Sequence, residues 1–123
     1  MDTKRVLVVE DEAPIARLVA LILKQMGLEA DTAGNGAEAL QVLEHSRPDL
    51  VILDLIMPVM NGEELIQELQ GNPDWADIPI VLLSTRQSAR GYRKDAFPLI
   101  AKPFQPDDVR SMVRQILDLP LDA

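Results

Sequence analysis

One apolar segment with a single carboxylate in its middle limits what this chain can fold into. Residues 51–58 read VILDLIMP, and the only charged residue among them is Asp54. A continuous apolar run with β-branched members that ends at a proline is typical of a fully buried central strand. Because an unpaired buried carboxylate is costly, Asp54 should meet water, a cation or a hydrogen-bond donor where the strand ends. Ligands bind at such strand ends in open α/β sheets, although Asp54 could instead only cap the following loop.

Strands and helices are predicted to alternate along the rest of the chain. Further apolar runs predict strands at residues 5–9, 28–32, 78–83 and 99–101, and amphipathic spacing predicts helices beginning near residues 14, 36, 61 and 105. This alternation requires a parallel sheet covered by helices on both faces. The polar stretch 86–95 lacks a wide apolar stripe, so we expect a fourth helix that is short or poorly ordered.

Composition narrows the class of partner. The 123 residues suit one domain, and 20 acidic residues against 12 basic ones give a net charge of −8. This charge disfavours direct binding to nucleic acid or to an anionic membrane surface. The chain contains no Cys, so disulfides and thiolate metal sites are excluded. With no apolar run long enough to span a membrane and no recognisable signal peptide, we expect a cytoplasmic location.

Polar residues follow four of the predicted strands. Glu10 and Asp11 follow the first strand, and Asp54, Ser84 and Lys102 stand at the ends of the third, fourth and fifth. The carboxyl ends of parallel strands share one edge of the sheet, so these side chains should converge. Several carboxylates at one edge either raise one another's pKa values or demand a compensating cation. Oxygen ligands completed by water suit Mg²⁺ or Mn²⁺. A carboxylate, a divalent cation, a lysine and a hydroxyl would together suit transfer of a phosphoryl group onto Asp54.

Taken in order, four motifs resemble the response-regulator receiver domain of bacterial two-component signalling, including the chemotaxis regulators. They are Val8-Val9-Glu10-Asp11-Glu12, Asp54-Leu55-Ile56-Met57-Pro58 with Asn61-Gly62, Leu82-Leu83-Ser84, and Lys102-Pro103-Phe104. The resemblance covers nearly the whole chain. It implies a flavodoxin-like (βα)5 fold, a doubly wound five-stranded parallel sheet of order 2-1-3-4-5. It also implies a receiver domain over residues 1–120, a tail or the start of a linker at 121–123, and no effector domain in this chain.

The resemblance assigns the phosphoacceptor and the metal ligands. Asp54 matches the phospho-accepting aspartate, and the implied donor is a phosphohistidine on a sensor histidine kinase or a phosphotransfer protein. Asp11 and Asp54 would bind Mg²⁺ directly, Ile56 through its backbone carbonyl, and Glu10 through water. Mn²⁺ can substitute for Mg²⁺ in such a site. We expect self-phosphorylation and self-dephosphorylation only, without the turnover of an enzyme.

The resemblance also assigns the residues that carry the conformational switch. Ser84 matches the switch hydroxyl that turns towards the phosphoryl group, and Thr85 beside it would contact or crowd the phosphoryl pocket. Lys102 matches the lysine that pairs with the phosphoryl group, and its bond to Pro103 is expected to be cis. Leu99 stands where the family often has an aromatic residue, so the usual aromatic readout would be missing or altered.

Two other functions compete with this interpretation. A haloacid-dehalogenase-type phosphatase also uses an aspartate nucleophile, but it needs a second Asp where this chain has Ile56. A degenerate receiver acting as a phosphorylation-independent interaction module is favoured by Leu99 and the shortened fourth helix, and opposed by the intact acids, hydroxyl and lysine. The downstream partner stays unidentified, and a homodimer is an option because many receivers dimerise through the fourth helix, fifth strand and fifth helix.

Overall fold

The computed structural model describes residues 3–90 and 97–120, in which five strands alternate with five helices. The strands are β1 (Arg5–Val9), β2 (Glu29–Ala33), β3 (Leu50–Leu53), β4 (Ile80–Thr85) and β5 (Leu99–Lys102). The helices are α1 (Ala13–Gln25), α2 (Gly36–His45), α3 (Gly62–Gly71), α4 (Arg86–Arg90) and α5 (Pro106–Leu117). All strand pairs are parallel, in the order β2-β1-β3-β4-β5. The predicted fold class and strand order are confirmed.

The register of the sheet brings the strand ends to one level. Val9, at the end of β1, pairs with Ala33 of β2 on one side and with Leu53 of β3 on the other. At the far side of the sheet, Thr85 of β4 pairs with Lys102 of β5. Residues that follow these strands therefore gather along a single edge, which we call the carboxyl edge.

Both faces of the sheet are buried. In β1, Leu7 and Val9 point into the apolar cluster formed with α2, α3 and α4, whereas Val6 and Val8 point into the cluster formed with α1 and α5. Successive residues of a strand face opposite sides, so a strand buried on both faces must be apolar throughout. The run around Ile52 is continuously apolar because β3 is buried on both faces.

Some boundaries differ from the predicted ones. β4 begins at Ile80 rather than at 78, because the Ile78 N–H donates to Trp75 in the preceding turn and Pro79 has no N–H for strand pairing. The strand extends beyond 83 to Thr85, because Ser84 and Thr85 pair with Ala101 and Lys102 of β5. β2 is displaced by one residue, and β3 ends one residue before Asp54.

The fourth helix is short, as predicted. α4 comprises Arg86–Arg90, and Ala89 is its buried side chain. The remainder of the polar stretch, from 91 to 95, lies outside the described residues. No helix within residues 3–90 and 97–120 is long and apolar enough to cross a membrane.

Candidate functional site

The two buried acids of the carboxyl edge are placed by backbone hydrogen bonds that continue the sheet. The Glu10 N–H donates to the carbonyl of Ala33 at 2.9 Å, and the Asp54 N–H donates to the carbonyl of Val9 at 3.0 Å. Both residues are thus fixed to neighbouring strands although neither lies within one. Glu10 is 1% exposed and Asp54 is 6% exposed.

Each carboxylate oxygen of Asp54 accepts at least one hydrogen bond. Oδ2 accepts from Nζ of Lys102 at 2.8 Å, and Oδ1 accepts from Oγ of Ser84 at 3.0 Å and from the Ile56 N–H at 3.1 Å. The Ile56 contact is a loop cap of the kind considered above. The other two partners come from β4 and β5, so Asp54 does more than cap its own loop.

The Ser84 hydroxyl joins the fourth strand to the loop after β3. Besides donating to Asp54, its oxygen accepts from the Leu55 N–H at 3.1 Å, and the whole residue is buried. Thr85, by contrast, has an exposed side chain whose Oγ1 accepts from the Ser88 N–H at 3.0 Å. Thr85 therefore caps α4 and leaves Ser84 facing the acid.

Lys102 lies between two acids. Its Nζ is 2.6 Å from Oε1 of Glu10 and 2.8 Å from Oδ2 of Asp54. The Glu10 contact is an ion pair without hydrogen-bond geometry, so the buried Oε1 accepts no hydrogen bond from the described residues, while Oε2 accepts from the Glu12 N–H at 3.1 Å. The peptide bond between Lys102 and Pro103 is cis.

The environment shifts the proton affinity of both members of this ion pair. Burial raises the pKa of Glu10, and the Lys102 ammonium and the Glu12 N–H offset only part of that rise. For Lys102, burial alone would lower the pKa, but the hydrogen bond from its ammonium to Asp54 and its ion pair with Glu10 outweigh burial and raise the pKa. Lys102 is therefore held in its charged form beside the acids.

Three carboxylates at this edge can hold a metal ion. Oxygens of Glu10, Asp11 and Asp54 lie within 4.8 Å of one another. The cluster offers only oxygen, which suits hard cations such as Mg²⁺, and Asp11 is exposed, so water can complete the coordination shell. The excess of three carboxylates over one ammonium favours a cation. The residues present therefore fit a magnesium ion.

Of two further residues singled out by the sequence, Ile56 lies beside Asp54, whereas Leu99 lies at the opposite end of β5 from Lys102. Ile56 contacts Asp54 through its N–H, and its side chain is exposed. Leu99 is half-buried at the start of β5, where it lines a cavity of about 310 Å³ together with Arg86 and Met112. This cavity lies between β5, α4 and α5.

The structure adds two site residues whose contacts the sequence did not reveal. The Leu55 N–H is satisfied by the Ser84 hydroxyl instead of by a neighbouring strand. Gly62 approaches so closely that a Cβ there would lie 2.3 Å from the carbonyl oxygen of Asp54. The only sequence signal for this approach was the Asn61-Gly62 pair, in which Asn61 also forms the capping box of α3 with Glu64.

Comparison with known proteins agrees with this arrangement. Residues 6–114 match the family described as response regulator receiver domain. The DNA-binding response regulator MtrA of Mycobacterium tuberculosis is 35% identical over 120 residues, covering 93% of this chain and 51% of MtrA. This chain spans about half the length of the curated relatives it matches.

Two solved structures share the fold over nearly their whole length. The response regulator TrrA of Thermotoga maritima, in complex with Mg²⁺-BeF, superposes with a TM-score of 0.81 at 35% identity, covering 93% of this chain and 99% of TrrA. The chemotaxis response regulator CheY4 of Vibrio cholerae gives a TM-score of 0.85 at 28% identity, covering 94% and 99%. On the family match, the relatives and the fold together, this chain belongs to the response regulator receiver domain family.

Proposed function

We propose that Asp54 accepts a phosphoryl group from a phosphohistidine donor in the presence of Mg²⁺, and that Ser84 and Lys102 convert this event into a conformational change. The observation that carries the proposal is the placement of the Asp54 carboxylate between the Lys102 ammonium at 2.8 Å and the Ser84 hydroxyl at 3.0 Å, beside two further acids. A nucleophilic carboxylate needs an adjacent positive charge and a donor to the transferred oxygens, and both are in place.

The chemistry follows from the charges. An oxygen of Asp54 would form the new P–O bond while the P–N bond of the donor breaks and its electron pair returns to the imidazole. Lys102 is held protonated, so it can compensate negative charge on the phosphoryl oxygens. Mg²⁺, held by Asp11 and Asp54, by the Ile56 carbonyl and by Glu10 through water, would supply the remaining positive charge when bound. Mn²⁺ is the expected substitute.

We infer that this chain is not a turnover enzyme. Hydrolysis of the acyl phosphate needs an oriented water, and the side chain two residues after Asp54 is the apolar Ile56. An isoleucine cannot donate to or accept from water, so the phosphorylated state should persist.

The proposed partners follow from this role. The donor is a sensor histidine kinase or a phosphotransfer protein, and the output is a protein contact, either with a downstream partner or with a second copy of the chain. MtrA is a DNA-binding regulator, but the net charge of −8 here argues against direct DNA contact by this domain. Leu99 and the short α4 support one competing function, a phosphorylation-independent interaction module.

Intact mass after incubation with Mg²⁺ and phosphoramidate tests the proposal. We expect one added phosphoryl group in the wild type and none in Asp54→Asn or without Mg²⁺. Asp118→Asn is the matched control, because it removes a carboxylate at a left-handed position that Asn also tolerates, at the end of α5. Absence of an adduct, together with absence of Mg²⁺ binding, would favour the interaction module instead.

A further inference from the structure

The loop after the acceptor holds a valine in a backbone conformation that valine disfavours. Val59 has φ of +67°, in the left-handed region, and its side chain is 82% exposed. A β-branched residue is strained there, and glycine would avoid the strain. Strained residues of this kind cluster at functional sites, where the surrounding structure imposes the conformation.

Contacts on both sides of Val59 impose its conformation. The Gly36 N–H donates to the carbonyl of Met60 at 2.9 Å, which fixes the residue after Val59 to the start of α2. The Gly62 N–H donates to the carbonyl of Leu55 at 2.9 Å, which closes the loop back onto the end of β3. Val59 must turn between these two fixed points, and its own side chain gains no burial from the turn.

Two exposed apolar side chains therefore stand on the loop beside Asp54. Ile56, whose N–H donates to the acceptor carboxylate, is 66% exposed, and Val59 is 82% exposed. They are three positions apart in the sequence, so their Cα atoms lie within about 11 Å of each other. Met57 between them is buried, which shows that the loop could place an apolar residue inward.

We propose that Val59 and Ile56 form an apolar contact surface for the protein that carries the phosphohistidine; this rests on the proposed function of Asp54. The acceptor is only 6% exposed, so a donor histidine can reach it only when the donor's surface covers the carboxyl edge. The side chains flanking the acceptor must then meet that surface. The occupant is thus a phosphohistidine protein with apolar residues around its histidine, whereas a small phosphodonor makes no such contact.

Paired substitutions at Val59 separate apolar contact from backbone strain. Asn and Leu have the same number of side-chain heavy atoms, both branched at Cγ and not at Cβ, but Asn is polar and accepts the left-handed conformation readily. The probes are phosphoramidate and a histidine kinase. The kinase is chosen from a panel of purified histidine kinases from the same genome, phosphorylated with labelled ATP, as the one that transfers fastest to the wild type. Thermal unfolding first verifies that both variants are folded.

With the kinase, Val59→Asn should lower the second-order transfer rate constant by about tenfold, the effect of losing burial of one valine side chain. Val59→Leu should stay within about twofold of wild type, and both variants should accept from phosphoramidate at the wild-type rate. The proposed contact surface would be wrong if the kinase transferred to the Asn and Leu variants at equal rates. It would also be wrong if a variant were slowed equally with the kinase and with phosphoramidate, or if no kinase transferred to the wild type. Failure of wild type with phosphoramidate would instead overturn the proposed function on which the surface rests.

Discussion

Gly62→Ala should disrupt the loop that holds Asp54. Gly62 is the first residue of α3, a position where alanine is ordinarily welcome. Here a Cβ would lie 2.3 Å from the Asp54 carbonyl oxygen and 2.6 Å from Cα of Leu55, and both neighbours are backbone atoms that cannot rotate away. The loop would have to open by about 1 Å to restore an ordinary contact of 3.4 Å.

The size of the effect follows from three contributions. Overpacking against backbone costs about 1–3 kcal/mol. Opening the loop also weakens the Gly62 N–H to Leu55 carbonyl hydrogen bond at 2.9 Å, which costs about 1 kcal/mol at a buried residue. Replacing glycine by alanine in a helix returns about 0.5–1 kcal/mol. The free energy of unfolding should fall by about 1–3.5 kcal/mol.

Urea denaturation followed by circular dichroism measures this loss. With a slope of about 2 kcal/mol/M, the midpoint should fall by roughly 0.5–1.7 M. Gly71→Ala is the matched control, because Gly71 ends the same helix, has no positive φ, and a Cβ there meets nothing within 4 Å. The control should be neutral or slightly stabilising. A Gly62→Ala midpoint equal to that of wild type would refute the reasoning from close approach.

Three further outcomes are expected. Mg²⁺ at about one hundred times its Kd should raise the free energy of unfolding by about 2.7 kcal/mol, and Asp11→Asn should remove most of this gain in thermal unfolding; an equal gain in both would contradict the metal site. The pKa of Lys102 is raised above its ordinary value of 10.5 in the folded protein. Its contribution to stability is therefore complete below pH 10.5 and is lost as the pH rises through the higher pKa of the folded state. Urea midpoints should therefore fall above pH 10.5 more steeply for wild type than for Lys102→Met, and parallel curves would count against the ion pair. Ile56→Asn should speed loss of phosphate from Asp54 in a time course of intact mass, and an unchanged rate would show that Ile56 does not slow hydrolysis.

The convergence of the charged residues could be predicted from the sequence because it depends on local rules. An apolar run is a strand, parallel strands end at one edge, and Glu10, Asp54 and Lys102 directly follow or end such runs. The common level of Val9, Ala33 and Leu53 in the sheet then brings the side chains within ion-pair distance.

The details of the loops could not be predicted because distant contacts determine them. The left-handed conformation of Val59 depends on hydrogen bonds from Gly36 and Gly62, which no local sequence pattern predicts. The short α4 was foreseeable from its missing apolar stripe, whereas the division of labour between Ser84 and Thr85 depends on where β4 ends. That end lies at Thr85 because Ser84 and Thr85 pair with Ala101 and Lys102 of β5.

The single hydrogen of the Ser84 hydroxyl limits which hydrogen bonds this residue can donate. A serine hydroxyl carries one hydrogen and can accept through its lone pairs. Here the hydrogen goes to Oδ1 of Asp54, and the oxygen accepts from the Leu55 N–H. If another group accepts a hydrogen bond from this hydroxyl, the hydrogen bond to Asp54 must break, so the two arrangements exclude each other. In each molecule the Ser84 hydroxyl therefore donates either to Asp54 or to the other acceptor. An intermediate signal from this hydroxyl can arise only as an average over molecules in these two states.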